Sequence, residues 1–190
     1  MLELFIKNMV CNRCIIAVRQ ELLNNGIEPI SIDLGVVRLT DEIDQNLRDK
    51  LARDLKALGF ELLEDAKSKL VDQIKTFIIN KIHHVDFVEM ASNWSLLIST
   101  ELNHEYKFLS SLFSSVEKTT IEQYIIRQKV ERVKELLLYD ELSLSEISYR
   151  LGYSSVQHLS QQFKKITGTT PSQYKSSGMD ENKRNPLDAI

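Results

Sequence analysis

Ser143-Leu144-Ser145-Glu146-Ile147-Ser148-Tyr149-Arg150-Leu151-Gly152-Tyr153-Ser154-Ser155-Val156-Gln157-His158-Leu159-Ser160-Gln161-Gln162-Phe163-Lys164-Lys165 reads as two short helices joined by a sharp turn. Ser143 and Glu146 have the spacing of a capping box, in which each side chain bonds the other residue's backbone N–H. Ile147 and Leu151 then lie one turn apart on one face. Gly152 can take the left-handed backbone that a tight turn needs, and Ser154 or Ser155 can cap the next helix. In that helix Val156, Leu159, Phe163 and Ile166 form one stripe and are expected to pack inward. Gln157, Gln161 and Lys164 fall on the opposite stripe, with Ser160 at its edge. A short helix, a glycine turn and a second helix with a polar outer stripe is the helix-turn-helix design.

These residues resemble the second motif of the AraC-type regulators, which runs Gly-aromatic-x-Ser, Leu or Phe, Phe-Lys-Lys, then Gly-x-Thr-Pro and an aromatic. Here they stand as Gly152-Tyr153-Ser154-Ser155, Leu159, Phe163-Lys164-Lys165, Gly168-Thr169-Thr170-Pro171 and Tyr174. The stretch from Gln128 to Leu137 is similar to that family's central connecting helix. The family's first motif would lie at 93–118, with Leu109 and Phe113 in core positions and Tyr124 following. Asn103 replaces the usual turn glycine, a tolerable change because Asn accepts the left-handed region. Phe113-Ser114-Ser115-Val116-Glu117 replaces the basic end of the family pattern. The resemblance implies that double-stranded DNA is the partner, that Lys107, Ser110 and Ser111 face the groove in the first motif, and that Ser155, Gln157, Ser160, Gln161, Lys164 and Lys165 do so in the second. Gln side chains suit an adenine edge, and lysines suit phosphate or guanine. Each has a plainer reading as an exposed helix position. Glu101 and Glu105 would be repelled by phosphate, so the second motif is expected to dominate. Arg132 and Lys134 read as solvated or helix-pairing charges.

Upstream, the period changes. Leu4 and Ile6 alternate with Glu3, Phe5 and Lys7, as in a strand ending near Met9. Ile15, Val18, Leu22 and Leu23 follow at helical spacing, stopped by Gly26. Residues 30–34 alternate, Gly35 turns, and Val36-Val37-Arg38-Leu39 returns. Leu47, Leu51, Leu55 and Leu58 mark another helix, ended by Gly59, and Phe60-Glu61-Leu62-Leu63 makes a last strand. The order is βαββαβ, the ferredoxin-like arrangement. The fold class is therefore an α+β domain at 1–66, an all-α domain with two helix-turn-helix motifs at 67–177, and a polar tail at 178–190 expected to be disordered. The polar stretch 64–69, without Gly or Pro, is the natural boundary.

Both cysteines sit in Asn8-Met9-Val10-Cys11-Asn12-Arg13-Cys14, between the first strand and the first helix. Two thiols three positions apart at a helix start can converge on one ion, and a helix N-terminus favours thiolates. A CxxC also serves redox chemistry. Met-x-Cys-x-x-Cys after the first strand of a βαββαβ unit resembles the heavy-metal-associated domains of copper chaperones and copper-pumping ATPases, and Leu58-Gly59-Phe60 is similar too. The resemblance implies a metal site at Cys11 and Cys14. Two soft thiolates suit Cu(I) or another soft ion better than Zn(II), which prefers four ligands. Asn8 stands where that family has Gly, and Arg13 where a small residue is common. A thiol–disulfide switch and an inert remnant stay open beside the metal reading. His83-His84 with Asp86 is read as structural or exposed, and Met9 as a core residue.

Composition sets the outer bounds. Of 190 residues 43% are hydrophobic and 27% charged, which suits a soluble globular chain. No apolar run approaches the ~20 residues of a membrane span, and no signal peptide is read at the N-terminus. A cytoplasmic protein with reduced thiols is expected. Lys and Arg number 8 against 12 Asp and Glu in 1–66, and 14 against 12 in 67–177. This mild asymmetry points the same way as the motif. There is no phosphate loop, no Ser-His-Asp pattern and no carboxylate cluster, so no enzyme is expected. A DNA-binding regulator of this type can also contact RNA polymerase; the oligomeric state is left open. The rival reading is a metal carrier whose helical part docks a protein partner.

Overall fold

The computed structural model describes residues 2–63, 66–85, 93–176 and 185–187. By contacts the chain divides into Met1–Thr76 and Phe77–Ile190.

In the first unit β1 (Leu2–Lys7), α1 (Asn12–Asn24), β2 (Pro29–Asp33), β3 (Val36–Leu39), α2 (Gln45–Ala57) and β4 (Glu61–Leu63) follow in the βαββαβ order. The four strands are antiparallel and line up β2-β3-β1-β4. Leu4, Ile6, Val37 and Leu39 alternate toward one face, where Val18 and Leu22 of α1 and Leu51 and Leu55 of α2 cover them. Burying each such side chain is worth roughly 1.5–3 kcal/mol. Asp44 caps α2, its carboxylate accepting from the Leu47 N–H at 2.8 Å.

The first unit departs from the sequence pattern in three places. The pairing of β2 with β3 shifts between Pro29 and Ser31, so Ile30 is the extra residue of a bulge. Ile30 is 58% exposed, while Pro29 and Ile32 point inward. Leu23 and Leu58, expected on inward stripes, are also exposed. The other face of the sheet carries Arg38, which bonds Glu3 at 3.0 Å and Asp33 at 2.6 Å. The start of a third helix, α3 (Ala66–His83), lies against this face. Lys69 Nζ sits 5.2 Å from the centre of the Phe5 ring. A Cβ on Gly35, whose φ is +81°, would stand 3.2 Å from Thr76 Oγ1 and 3.3 Å from Asp72 Oδ2. These contacts draw α3 as far as Thr76 into the first unit, so the division falls inside α3 and beyond the 66/67 boundary read from the sequence.

The second unit holds α4 (Trp94–Leu102), α5 (Tyr106–Glu117), α6 (Ile121–Tyr139), α7 (Leu144–Arg150), α8 (Val156–Thr167) and α9 (Pro171–Ser176). Val130, Val133, Leu136 and Leu137 of α6 form one core with Ile147, Leu151, Leu159, Phe163 and Tyr174. One polar strip of α6 is buried as well. Gln128, fully enclosed, meets His83 Nε2 at 2.9 Å and donates to Tyr124 Oη at 2.9 Å. It also donates to the Leu187 carbonyl at 3.0 Å. Glu131 accepts from Lys134 and from the backbone and side chain of Asn185. Asn185–Leu187 therefore rest on α6, against the expectation of a disordered tail; the rest of 178–190 apart from these residues lies outside the described residues.

Candidate nucleic-acid interface and thiol pair

The α7–α8 turn is fixed by its own backbone. Ser143 and Glu146 complete both halves of the capping box, and hydrogen bonding to Ser143 holds the Glu146 carboxyl below its ordinary range. Gly152 has φ +64°, and the Tyr153 N–H donates to the Ser148 carbonyl at 3.0 Å. Ser155, not Ser154, is the N-cap of α8, its hydroxyl accepting from the His158 N–H at 3.1 Å. Ser154 Oγ instead meets His158 Nδ1 at 3.1 Å. Tyr153 is buried beneath, edge-on to the His158 ring at 5.5 Å, with Lys129 Nζ 5.2 Å from its own ring centre. Sequence reasoning missed His158 and Lys129, since neither belongs to the apolar or polar stripe that revealed the helix.

Along α8, Leu159 and Phe163 are fully buried, while Gln157, Gln161, Lys164 and Lys165 are exposed on the outer side. Lys164 and Lys165 also occupy the last turn, where the helix dipole favours cations. Ser155 and Ser160 are half-buried, and the Ser155 oxygen is committed to the cap. Ile166, expected inward, is 39% exposed.

The first motif repeats the plan. Asn93 caps α4, and Asn103 takes the left-handed conformation at φ 51°, as its place in the turn requires. Leu109 and Phe113 are fully buried in α5 as Leu159 and Phe163 are in α8. Phe113 meets Tyr124 edge-on at 5.6 Å, and Phe163 meets Tyr174 in the same way at 5.5 Å. Lys118 and Gly168 end the two helices in the left-handed region, and Thr120 and Thr170 cap the helices that follow. The outer side of α5 differs. Lys107 and Ser111 are exposed, Ser110 is half-buried, and Ser114 and Ser115 stand where α8 carries Lys164 and Lys165. Phe108, which the sequence reading passed over, is 52% exposed and stands where α8 carries His158, beside the outer stripe rather than on it. Arg132 and Lys134 pair along α6 with Glu135 at 2.7 Å and Glu131 at 2.6 Å.

In the first unit the thiols lie at the start of α1, with Cys11 as its N-cap and the two sulfurs 3.6 Å apart. Partial burial works against a Cys11 thiolate. Hydrogen bonds from Cys14 and Arg13 and the Arg13 charge outweigh it, holding this thiol below its ordinary range. Burial pushes the Cys14 thiol up, and its neighbour Cys11 adds to this. Asn8 takes φ +72° where the resembling family has Gly, and its side chain donates to the Gly59 carbonyl at 2.9 Å. That bond ties the cysteine loop to the turn before β4. Met9 belongs to the core. His83 bonds Gln128 and His84 is exposed, while Asp86 lies outside the described residues. Among the described residues no third His, Cys, Asp or Glu joins a metal-holding group, and no helix is long and apolar enough to cross a membrane.

Residues 98–177 match the family model of a helix-turn-helix domain. An uncharacterized HTH-type transcriptional regulator, YtdP of Bacillus subtilis, is 22% identical over 86% of this chain and 25% of its own length. The transcriptional activator AggR of Escherichia coli is 24% identical over 80% of this chain and 58% of its own. The xylose operon regulatory protein of Escherichia coli is 37% identical over 35% of this chain and 17% of its own. The chain thus spans less than two thirds of each of these relatives, which are regulators rather than enzymes. The C-terminal domain of AraT, a response regulator from Geobacillus stearothermophilus, superposes with a TM-score of 0.52 at 26% identity, over 61% of this chain and 91% of that one. The second unit therefore carries a helix-turn-helix domain resembling AraC C-terminal domains.

Proposed function

We propose that this chain is a sequence-specific, DNA-binding transcriptional regulator that places α5 and α8 in successive major grooves, about one helical turn or ~34 Å apart. The observation that carries the reading is α8 itself. It is pinned inward by Leu159 and Phe163, capped by Ser155, and bears Gln157, Gln161, Lys164 and Lys165 on the free side. Gln161 reads a base edge and Lys164 holds phosphate. Selection of bound duplexes from a random pool tests this directly. Wild type should enrich one site. Gln161→Ala should relax preference at one position by ~1–3 kcal/mol, and Lys164→Ala should weaken all duplexes alike. Unchanged affinity and preference in Gln161→Ala would show that α8 is not the reading helix.

We further propose that the first unit is a ferredoxin-like sensor of the heavy-metal-associated kind, in which Cys11 and Cys14 hold Cu(I) or another soft ion and change DNA affinity. The donor set supports the reading: two close sulfurs, one favoured as thiolate, and no third ligand gathered beside them among the described residues. The helix α3, which supplies residues to both units, is the covalent route for coupling. Such coupling is typically ~1–3 kcal/mol. Cu(I) competition against a chelator, and duplex binding with and without Cu(I), should both change in Cys11→Ser/Cys14→Ser. Tight Cu(I) binding with unchanged duplex affinity would leave a metal domain that senses nothing. No Cu(I) binding would return the pair to disulfide chemistry or to an inert role.

A further inference from the structure

We propose that Phe108 contacts the 5-methyl group of a thymine in the major groove at the half-site taken by α5. The proposal rests on the DNA-binding reading above and names the chemistry by which the first motif recognises sequence.

The side chain lies in the first turn of α5, and the N-terminal residues of a recognition helix are those that meet base edges. Its ring is half exposed although Leu112, one turn on along the same face, is buried with Leu109 and Phe113. Lys107 and Ser111 flank it on the exposed side. His104, at the turn, packs against the ring with centroids 5.6 Å apart and the planes tilted at 52°. Phe108 is thus supported from one side and open on the other.

Of its exposed neighbours on the helix, Lys107 can reach a guanine edge or phosphate, and the serines cannot make paired bonds to a base. Ser110 and Ser111 are short, and Ser110 is half-buried. Exposed carboxylates at Glu101 and Glu105 disfavour phosphate close to the start of the helix. The only base-pair feature in the major groove that suits an apolar ring is the thymine methyl. At the equivalent place in α8, just before the buried Leu159, stands His158, held by Ser154 and packed on Tyr153. The two motifs share a scaffold and present different chemistry at this position.

The experiment uses the full chain and the duplex selected by wild type. The α8 half-site is the half whose base preference Gln161→Ala relaxes, and the other half belongs to α5. Each thymine in that other half is replaced in turn by deoxyuridine, which removes only the methyl group. Wild type should lose roughly fourfold in affinity at one such thymine, the worth of one buried carbon. Phe108→Ala should bind more weakly and be indifferent to the same replacement. Phe108→Leu, which keeps an apolar tip, should retain the methyl dependence. The fluorescence of Trp94, packed against the second-motif core, checks that each variant is folded. Methyl dependence at no thymine, or equal dependence in wild type and Phe108→Ala, overturns the proposal while the selected site and its Gln161 dependence stand. If wild type selects no duplex, the DNA-binding reading falls and the proposal with it. Unchanged duplex affinity in Phe108→Ala together with lost promoter output would assign the ring to a protein partner and also overturn it.

Discussion

Lys129 stands over the Tyr153 ring with its amine largely enclosed, and burial pushes its pKa down to about 8. Below about pH 8 the amine is charged in both folded and unfolded chains, so keeping it charged in the folded state works against stability. As pH rises from 8 the folded chain gives up the proton first while the unfolded chain still holds it, and stability rises. Above about 10 the buried Tyr153 phenol, whose pKa is raised by burial, opposes the trend. Lys129→Met should therefore be more stable than wild type at pH 7, less the modest cation–π attraction that it forfeits. The gap should narrow by roughly 1–2 kcal/mol at pH 9.5. Urea unfolding followed by Trp94 fluorescence at the two pH values measures it, and a constant gap would refute the assignment. Nothing in the sequence announced this residue. A lysine on a long helix reads as solvated until the fold lays an aromatic ring beneath it. Asn8 was legible only in part: its place in a glycine position marked a departure, and the bond to Gly59 that justifies it joins residues far apart in the chain.

Elements were legible wherever a local rule acts within one turn. The box at Ser143 and Glu146, the left-handed Asn103, and the buried pair Leu159 and Phe163 all follow from spacing alone. Ser143→Ala should cost about 1 kcal/mol by freeing the N–H of Glu146 at the start of α7. The same urea titration reads this cost, and a change within error would show that the cap is idle. Strand β2 was misread because alternation assumes one residue per pleat. The bulge at Ile30 inserts an extra residue and turns that side chain out, a choice made by pairing with β3 that β2 alone does not record. Ile166 shares a stripe with the buried Leu159 and Phe163 and is nonetheless exposed, because helical spacing by itself does not mark where burial stops.

At the scale of the whole molecule, the change of period from two to 3.6 near residue 66 revealed two kinds of structure, but not where the first unit stops. That limit depends on Gly35 leaving room for Asp72 and Thr76, a contact between distant segments. The tail likewise looked too polar to pack, yet Asn185–Leu187 find partners in the buried polar strip of α6. The paired motifs carry one more consequence. Cations line the outer side of α8 at Lys164 and Lys165, where α5 has Ser114 and Ser115. A hold made through lysines releases counterions from the duplex and weakens steeply as salt rises, whereas a hold made through an aromatic ring scarcely responds. If α8 holds phosphate through these lysines, rising salt should loosen α8 more than α5, whose outer side offers Lys107 alone among its cations.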